Sequence, residues 1–416
     1  MKIVIVGSGG REHALAWKIH HSPDPHEVLV LPGNGGTPTT RSLRADDVDG
    51  IRRFCDEVGA DLVVVGPEVS LAAGLVDTLQ AHQLRAFGPI RAATRLESSK
   101  VWARLFMRHH GVACPEFWSF GDVDQASAHL ERLGGDAVLK YDGLAAGKGV
   151  WVCRDRSEAH RALVEFTQRH GHDAAGVVER RLVGKEVSLI GLCDGMTLAL
   201  LAPSRDHKRL LDDDKGPNTG GMGACTPVAD LSPALLKTIQ REIIAPTLDG
   251  LRAEGLPYCG FLYFGILLSD EGPRLLEYNA RLGDPEAEVV LPALDSDLVE
   301  LMLASLETRL GDMKVALSSD AFIDVVLASK GYPGAMTAGH PIQGLDTLQP
   351  DTLVFHAGTA RSSEGTLVTA GGRVLNVVAR GATVEQARER VYAEVEKLSF
   401  EGMTYRRDIG RGTKRT

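Results

Sequence analysis

A chain of 416 residues, 44% hydrophobic and 24% charged, has apolar material for two to four cored domains and too much for general disorder. A formal net charge of −9 disfavours broad nucleic-acid binding, and the longest apolar stretch, FLYFGILL at 261–268, is far short of a bilayer, so neither nucleic acid nor membrane is expected as a partner. Six cysteines without a C-x-x-C pair indicate neither a zinc site nor a disulfide framework, and MKIVIVGSGG enters a strand and turn directly, so a cytoplasmic protein with reduced thiols is expected.

The apolar run KIVIV ends in GSGG and is followed by REHALAWKI, whose Ala14, Leu15 and Ile19 spacing predicts a helix with one buried face. A dinucleotide fingerprint would need glycine at 7, 9 and 12. Position 12 is Glu, and the second strand, EVLVLPGN, lacks the acid that grips a ribose, so a nicotinamide cofactor is disfavoured. A glycine turn at a helix N-terminus still offers N–H groups to an anion, with Arg11 adding charge, unless these glycines only make a tight turn. A third strand, DLVVVGPE, and a short RAFGP continue the alternation of strands and helices, which predicts a parallel α/β unit with its ligand edge at the strands' C-terminal ends.

ATRLESSKVWARLFMRHHGV reads as one helix entering a new unit, with Lys100 near its start and Gly111 as its stop. Next, KYDGLAAGKGV places Lys140 at the end of an apolar run and Lys148 in a turn with glycines at 143, 147 and 149. Backbone N–H groups and two lysines suit a polyphosphate clamp, with an ordinary glycine hairpin as the alternative. It is not a P-loop, because Gly143 has the wrong spacing and Lys148 is followed by glycine instead of Ser or Thr. In GVVERRLVGKEVS a strand ends at Glu179 and another begins near Glu186; carboxylates at such ends can accept from a nucleotide's amino group or ribose, or be merely solvated. RDHKRLLDDDKGPNTGGMG, at 205–223, has no period and reads as a long substrate-covering loop.

RLLEYNARLGDPE, at 274–286, predicts a strand with Glu277, Asn279 and Arg281 on one face and Leu276 and Tyr278 on the other. A carboxylate and an amide carbonyl are hard oxygen ligands for Mg²⁺, and the Arg281 fork can hold a carboxylate or phosphate. Asp284-Pro285-Glu286 reads as N-cap, N1 and N2 of a helix, so capping and substrate binding both stay open for Asp284. From about residue 320, four short strands and the helix TVEQARERVYAEVEKL predict a small α+β domain.

Lysines with a glycine loop, acids at strand ends, and Glu277 with Asn279 describe an ATP site that is not a P-loop and that resembles the ATP-grasp superfamily. GSGGREHALAW, LPGNGGT, VVVGPE, DGLAAGKGV, DHKR, GPNTGGMGA, GFLYFGIL, EYNARLGDPE, KGYPG, FHAGT and GGRVLNV stand in the order found in the glycinamide ribonucleotide synthetase (phosphoribosylamine–glycine ligase) family. That resemblance implies α/β and α+β domains: an N-terminal parallel α/β substrate domain over 1–99, an ATP-grasp domain over 100–319 with a mobile lid at about 117–182, and a C-terminal α+β domain over 320–416.

It also implies an ATP-dependent carboxylate–amine ligase that joins glycine to 5-phosphoribosylamine through a glycyl phosphate in purine biosynthesis, with Mg²⁺ or Mn²⁺. Lys100, Lys140, Gly143, Leu144, Ala145, Ala146, Gly147, Lys148 and Gly149 would hold ATP phosphates, and Glu179, Leu182 and Glu186 adenosine. Glu277 and Asn279 would hold the metal. Arg281, Asp284 and Lys148 would serve catalysis, the first two holding glycine and its acyl phosphate. Gly9, Gly10, Arg11, Glu12, Gly66, Pro67 and Glu68 would bind phosphoribosylamine, with Asp206, Lys208, Asn218, Thr219 and Gly220 covering the substrates. A monomer or weak homodimer is expected. Tyr141, Arg180, Arg181, Arg205, Lys215 and Cys225 depart from the family pattern, which keeps open a paralogous amide ligase with another carboxylate and amine. A catalytically silent nucleotide-binding module is the third reading; it would have no need to keep Glu277, Asn279, Lys140 and Lys148 together.

Overall fold

The computed structural model describes residues 1–37, 41–145 and 149–411. The chain begins with β1 (Lys2–Gly7), α1 (Gly10–His20), β2 (Glu27–Pro32), α2 (Val48–Val58), β3 (Leu62–Val65), α3 (Glu68–Ala73), α4 (Leu75–Ala81) and β4 (Ala86–Phe87). The strands form the expected parallel sheet, in the order β2-β1-β3-β4. Both faces of β1 are buried, Ile3 and Ile5 toward α1 and Val4 and Val6 into a second core with Ile51 and Phe54 of α2. A strand covered on both sides has no polar face, which is why KIVIV reads as an unbroken apolar run.

The helix predicted through residue 100 is two helices, α5 (Arg91–Ser98) and α6 (Lys100–His109). Ser99 breaks them because its hydroxyl caps α6, accepting from the Trp102 amide at 3.1 Å. Gly111, beyond α6, has the positive φ of +69° that a helix stop favours.

The next sheet joins β5 (Phe117–Phe120), β6 (Ala137–Tyr141), β7 (Val150–Cys153) and β8 (Gly176–Arg180) in the order β5-β8-β6-β7, with α7 (Val123–Arg132) and α8 (Arg156–His170) packed against it. A further sheet sets β9 (Gly184–Cys193) between β10 (Leu198–Leu200) and the strand Gly260–Ser269, with Gly272–Asn279 at its other edge.

The segment expected as an unstructured loop is partly strand: β11 (Arg205–Asp206), the hairpin of β12 (Arg209–Leu211) and β13 (Lys215–Asn218), and β14 (Gly223–Thr226). These strands are two to four residues long and mostly polar, so they carry no period to read. Then come α9 (Pro233–Ile239), a π-turn, α10 (Ala245–Ala253), β15 (Gly260–Ser269), β16 (Gly272–Asn279), α11 (Ala287–Val290) and α12 (Leu298–Leu306).

The chain closes with β17 (Ala321–Ala328), β18 (Leu353–His356), the pair β19 (Thr359–Arg361) and β20 (Leu367–Thr369), β21 (Arg373–Gly381) and α13 (Val384–Val395). The sheet β11-β14-β17-β21-β18 takes two strands from upstream of residue 319. One of its faces packs Ile323, Val325 and Val377 on α13, while Phe322, Phe355 and Val378 join the core that holds α1 residues. The six cysteines are free thiols, and among the described residues no helix is long and apolar enough to cross a membrane.

Candidate functional site

The site gathers where β6, β9, β16 and the first turn of α6 meet. Its shape turns on an irregularity in β16 that the alternating-strand reading missed. Gly265 pairs with Glu277 but Ile266 pairs with Leu275, so Leu276 is the extra residue of a β-bulge. Leu275 and Tyr278, not Leu276 and Tyr278, therefore reach the core. The bulge also turns two carbonyls out of the ladder: Leu275 O accepts from Arg104 Nη1 (2.9 Å), and Leu276 O from Arg104 Nη2 (2.8 Å) and Lys140 Nζ (2.9 Å).

Glu179 closes this group, its Oε1 lying 2.7 Å from Arg104 Nε and 3.0 Å from Lys140 Nζ. All three side chains are buried, and burial pulls the Lys140 ammonium below the ordinary lysine range against the opposing pull of Glu179. The sequence reading offered Glu179 to adenosine. In the structure its carboxylate is a buried counter-ion of two cations, because β8 carries it inward toward α6. Glu186 is half exposed and stays accessible, and Leu182 is half-buried just past β8.

The glycine loop is anchored at its described ends. Tyr141 N donates to Gly149 O (2.9 Å), and Lys100 Nζ to Gly143 O (3.1 Å). Asp142 Oδ1 accepts from Ser99 Oγ (2.9 Å) and the Val101 amide (3.1 Å), tying the loop to the start of α6. Leu144 is exposed, and a Cβ on Gly149 would lie 2.8 Å from that of Ala145. Tyr141 stacks on His170, centroids 3.8 Å apart and planes at 9°. Ala146, Gly147 and Lys148 lie outside the described residues.

Glu277 lies on the far side of Lys140. Lys208 Nζ sits 3.4 Å from Glu277 Oε1 and 2.9 Å from Glu186 Oε2. Burial alone would raise the Glu277 carboxyl, but Lys208, Lys140 and Lys100 outweigh it and bring it down to about 2, so Glu277 is anionic. Beside it, the Asn279 amide belongs with Nδ2 donating to Glu97 Oε1 (3.2 Å) and to the Tyr278 carbonyl (3.0 Å), since the opposite orientation sets oxygen against two acceptors. That leaves Oδ1 as an acceptor next to an anionic carboxylate. Among the described residues no three His, Cys, Asp or Glu side chains cluster to hold a metal. A hard-oxygen pair of this kind fits Mg²⁺ or Mn²⁺, ions that take one or two protein ligands and complete their shell with water and phosphate.

Arg281, beyond the end of β16, is enclosed by acids: Nη2 lies 3.0 Å from Glu97 Oε1 and Nε 3.3 Å from Glu68 Oε2. Pro67 precedes α3, which starts at Glu68. The α1 turn departs from its expected form. Glu12 Oε2 accepts from the Gly9 amide (2.6 Å) and Oε1 pairs with Arg11 Nε (2.6 Å), so Gly9 N–H is already used by a capping carboxylate. Gly66 belongs to the same packing, since a Cβ there would lie 2.8 Å from Glu12 Cδ. Gly10 is buried at the start of α1.

Asp284 does not cap a helix. The first helical bonds run from Ala287 N to Gly283 O (3.1 Å) and from Val290 N to Glu286 O (2.9 Å), and the Asp284 carboxylate turns instead to Arg373 Nη1 at 3.0 Å. Arg373 also donates to Gly220 O and Asp284 O, both at 2.7 Å, while Gly220 N donates to Tyr332 Oη at 2.9 Å. Thr219 N and Oγ1 both donate to Lys208 O, at 2.7 and 2.9 Å, and Asn218 pairs with Arg209 across the hairpin. Burial, and then the charge of Glu286, push the Asp206 carboxyl well above the usual carboxylate range. Arg104, Glu97, Arg373 and Tyr332 were missed by sequence reading. Arg373 and Tyr332 lie inside the quoted motifs GGRVLNV and KGYPG; Arg104 and Glu97 look like ordinary helix-surface charges.

The chain matches the family models described as "Phosphoribosylglycinamide synthetase, N domain" over residues 1–97, "ATP-grasp (A) domain" over 98–287 and "C domain" over 322–412. It is 47% identical to a phosphoribosylamine–glycine ligase of Caulobacter vibrioides, over 99% of this chain and 98% of the relative. It is 44% identical to the trifunctional purine biosynthetic protein adenosine-3 of Gallus gallus, over 98% of this chain and 42% of that longer protein. A crystal structure of phosphoribosylamine–glycine ligase from Thermotoga maritima aligns with a TM-score of 0.84 at 34% identity, covering 98% of this chain and 100% of the other. A biotin carboxylase–β-γ-ATP complex from Campylobacter jejuni, at 14% identity, shares the fold with a TM-score of 0.71 over 97% of this chain and 92% of its own.

Proposed function

The chain belongs to the phosphoribosylglycinamide synthetase family, and from that premise we propose that it couples ATP cleavage to the joining of glycine and 5-phosphoribosylamine in purine biosynthesis. The glycine carboxylate attacks the γ-phosphorus of ATP and ADP departs, leaving glycyl phosphate. The amine of phosphoribosylamine then adds to the acyl carbon, phosphate leaves, and glycinamide ribonucleotide results. No enzyme nucleophile takes part, so the work of the site is alignment and charge neutralisation.

The observation that carries this reading is the frame of cations around one carboxylate–amide pair: Lys100, Lys140 and Lys208 face Glu277, with Arg281 beyond Asn279. In the proposed assignment Lys100, Lys140 and the 143–149 loop take the ATP phosphates, and Glu186 and Leu182 take adenosine. Glu179 keeps Lys140 in place. Glu277 and Asn279 hold Mg²⁺ or Mn²⁺, which bound there would neutralise phosphate charge. Arg281 and Asp284 orient glycine and its acyl phosphate; Arg11, Glu12 and Gly66–Glu68 line the phosphoribosylamine side, covered by Asp206, Lys208 and Asn218–Gly220. Divisions near residues 99 and 319, a lid at about 117–182, a cytoplasmic location, and a monomer or weak homodimer complete the proposal.

Turnover of ATP, glycine labelled with ¹⁸O in its carboxylate, and freshly made phosphoribosylamine tests it. The product phosphate should carry one ¹⁸O from glycine. Absence of phosphate release with that pair would overturn the substrate assignment, and release without label would overturn the acyl phosphate.

A further inference from the structure

We propose that Glu97 is a positioning residue that sets both the orientation of the Asn279 amide and the aim of the Arg281 guanidinium, an inference that rests on reading Glu277 and Asn279 as the metal pair. Glu97 lies in the last turn of α5, some 180 residues earlier in the chain than the strand it serves, and is 7% exposed. Its two oxygens receive three consecutive residues, the last of the metal strand and the two that follow it. Oε2 accepts from the Ala280 backbone amide at 2.7 Å, while Oε1 accepts from Asn279 Nδ2 at 3.2 Å and lies 3.0 Å from Arg281 Nη2. Burial raises the Glu97 carboxyl, with Arg281 pulling the other way.

The donor count explains why a carboxylate is needed there. Asn279 presents either oxygen or nitrogen to whatever sits beside Glu277, and the two ends are nearly the same size. Only hydrogen bonding selects between them. With Glu97 and the Tyr278 carbonyl both accepting from Nδ2, Oδ1 is turned toward the metal side. Arg281 has a corresponding freedom about its long side chain, and the Glu97 and Glu68 carboxylates remove it. A group that orients a ligand through its far side commonly changes metal affinity by about 10–100-fold when removed.

Glutamine in place of Glu97 has the same shape but cannot satisfy the three donors. If its NH₂ lies at Oε2 it faces the Ala280 amide; if at Oε1 it faces Asn279 Nδ2 and Arg281. Either way at least one of these donors faces another donor, so Glu97→Gln should loosen the hold on the 279–281 turn, and with it the aim of the Asn279 amide, while leaving the packing of α5 in place.

The experiment titrates the full-length protein with Mn²⁺ in the presence of ADP, reading free Mn²⁺ by electron paramagnetic resonance without turnover, for wild type, Glu97→Gln, Asn279→Ala and the double variant. Expected are Mn²⁺ dissociation constants raised about 10–100-fold in Glu97→Gln, little further loss when it is combined with Asn279→Ala, and a KM for glycine that rises more than the KM for ATP. A Glu97→Gln dissociation constant within about twofold of wild type, while Asn279→Ala binds weakly, overturns the role of Glu97 and leaves the metal pair standing; additive losses overturn it equally. If Asn279→Ala itself binds Mn²⁺ as wild type does, the metal reading fails and this inference with it. Should Glu97→Gln not fold, Glu97→Asp decides by the same titration, since its shorter arm keeps the charge but cannot span all three donors.

Discussion

Replacing Glu179 by glutamine tests whether the bulged strand and Lys140 are held by one buried charge. The Glu179 carboxylate is 1% exposed and within 3.0 Å of both Arg104 and Lys140, which are themselves buried. Removing one partner of a buried pair leaves uncompensated charge and costs about 3–5 kcal/mol. Glutamine keeps the volume and an oxygen acceptor, and both cations keep their bonds to the Leu275 and Leu276 carbonyls, so the lower end applies, about 3 kcal/mol. Against a typical total of about 5–15 kcal/mol the variant should fold, with a lower urea midpoint at unchanged slope.

A second, separable effect follows from the lysine. Burial already lowers Lys140, and Glu179 opposes that shift. Without Glu179 the ammonium loses its proton at a lower pH, so the alkaline rise in KM for ATP should begin at a lower pH than in wild type. A loss under about 1 kcal/mol, the level of a solvated pair, together with an unmoved alkaline limb, would refute the account of the buried triad.

Glu277→Ala should abolish magnesium-dependent ATP cleavage while keeping a folded circular-dichroism spectrum, with a lowered urea midpoint because Lys208, Lys140 and Lys100 lose the carboxylate they face; full retained turnover would refute the metal assignment. Lys208→Met should raise the acid-unfolding midpoint. Glu277 titrates at about 2 in the folded chain, below its ordinary 4.5, so it stabilises the fold above 4.5 and that contribution fades as pH falls toward 2. Removing the Lys208 ammonium, 3.4 Å from the carboxylate, narrows this window, and acid titration followed by circular dichroism reads the shift. Tyr141→Ala, which loses the stack on His170 and the edge contact with Phe166, should raise the KM for ATP several-fold and cost about 0.5–1.5 kcal/mol per lost aromatic pair. Tyr141→Phe should behave as wild type, because the ring and not the hydroxyl makes these contacts; steady-state kinetics and thermal unfolding separate the two.

Local chemistry was legible in the chain. KIVIV ahead of a glycine turn reads as a strand leading into a helix, and the structure shows why the run is unbroken: both of its faces are buried. Lys140 before a glycine loop, and Glu277 two residues from Asn279, stand out by residue type alone as candidates for phosphate and a hard cation. Where the reading failed, an interaction from outside the local stretch had intervened. Ser99 split a helix by capping its second half, and the Leu276 bulge changed which residues of β16 reach the core. Arg373 took the Asp284 carboxylate away from capping.

The sequence by itself thus determined the donors and their local order, since glycine freedom, strand alternation and helix period are properties of neighbouring residues. Tertiary structure alone decided how those donors are aimed. Glu179 points inward because α6 brings Arg104 beneath it, and Asn279 and Arg281 are oriented by Glu97, whose distance along the chain no periodicity records. A carboxylate's role depends on which cation the fold sets beside it, and that choice is made by the packing of whole elements.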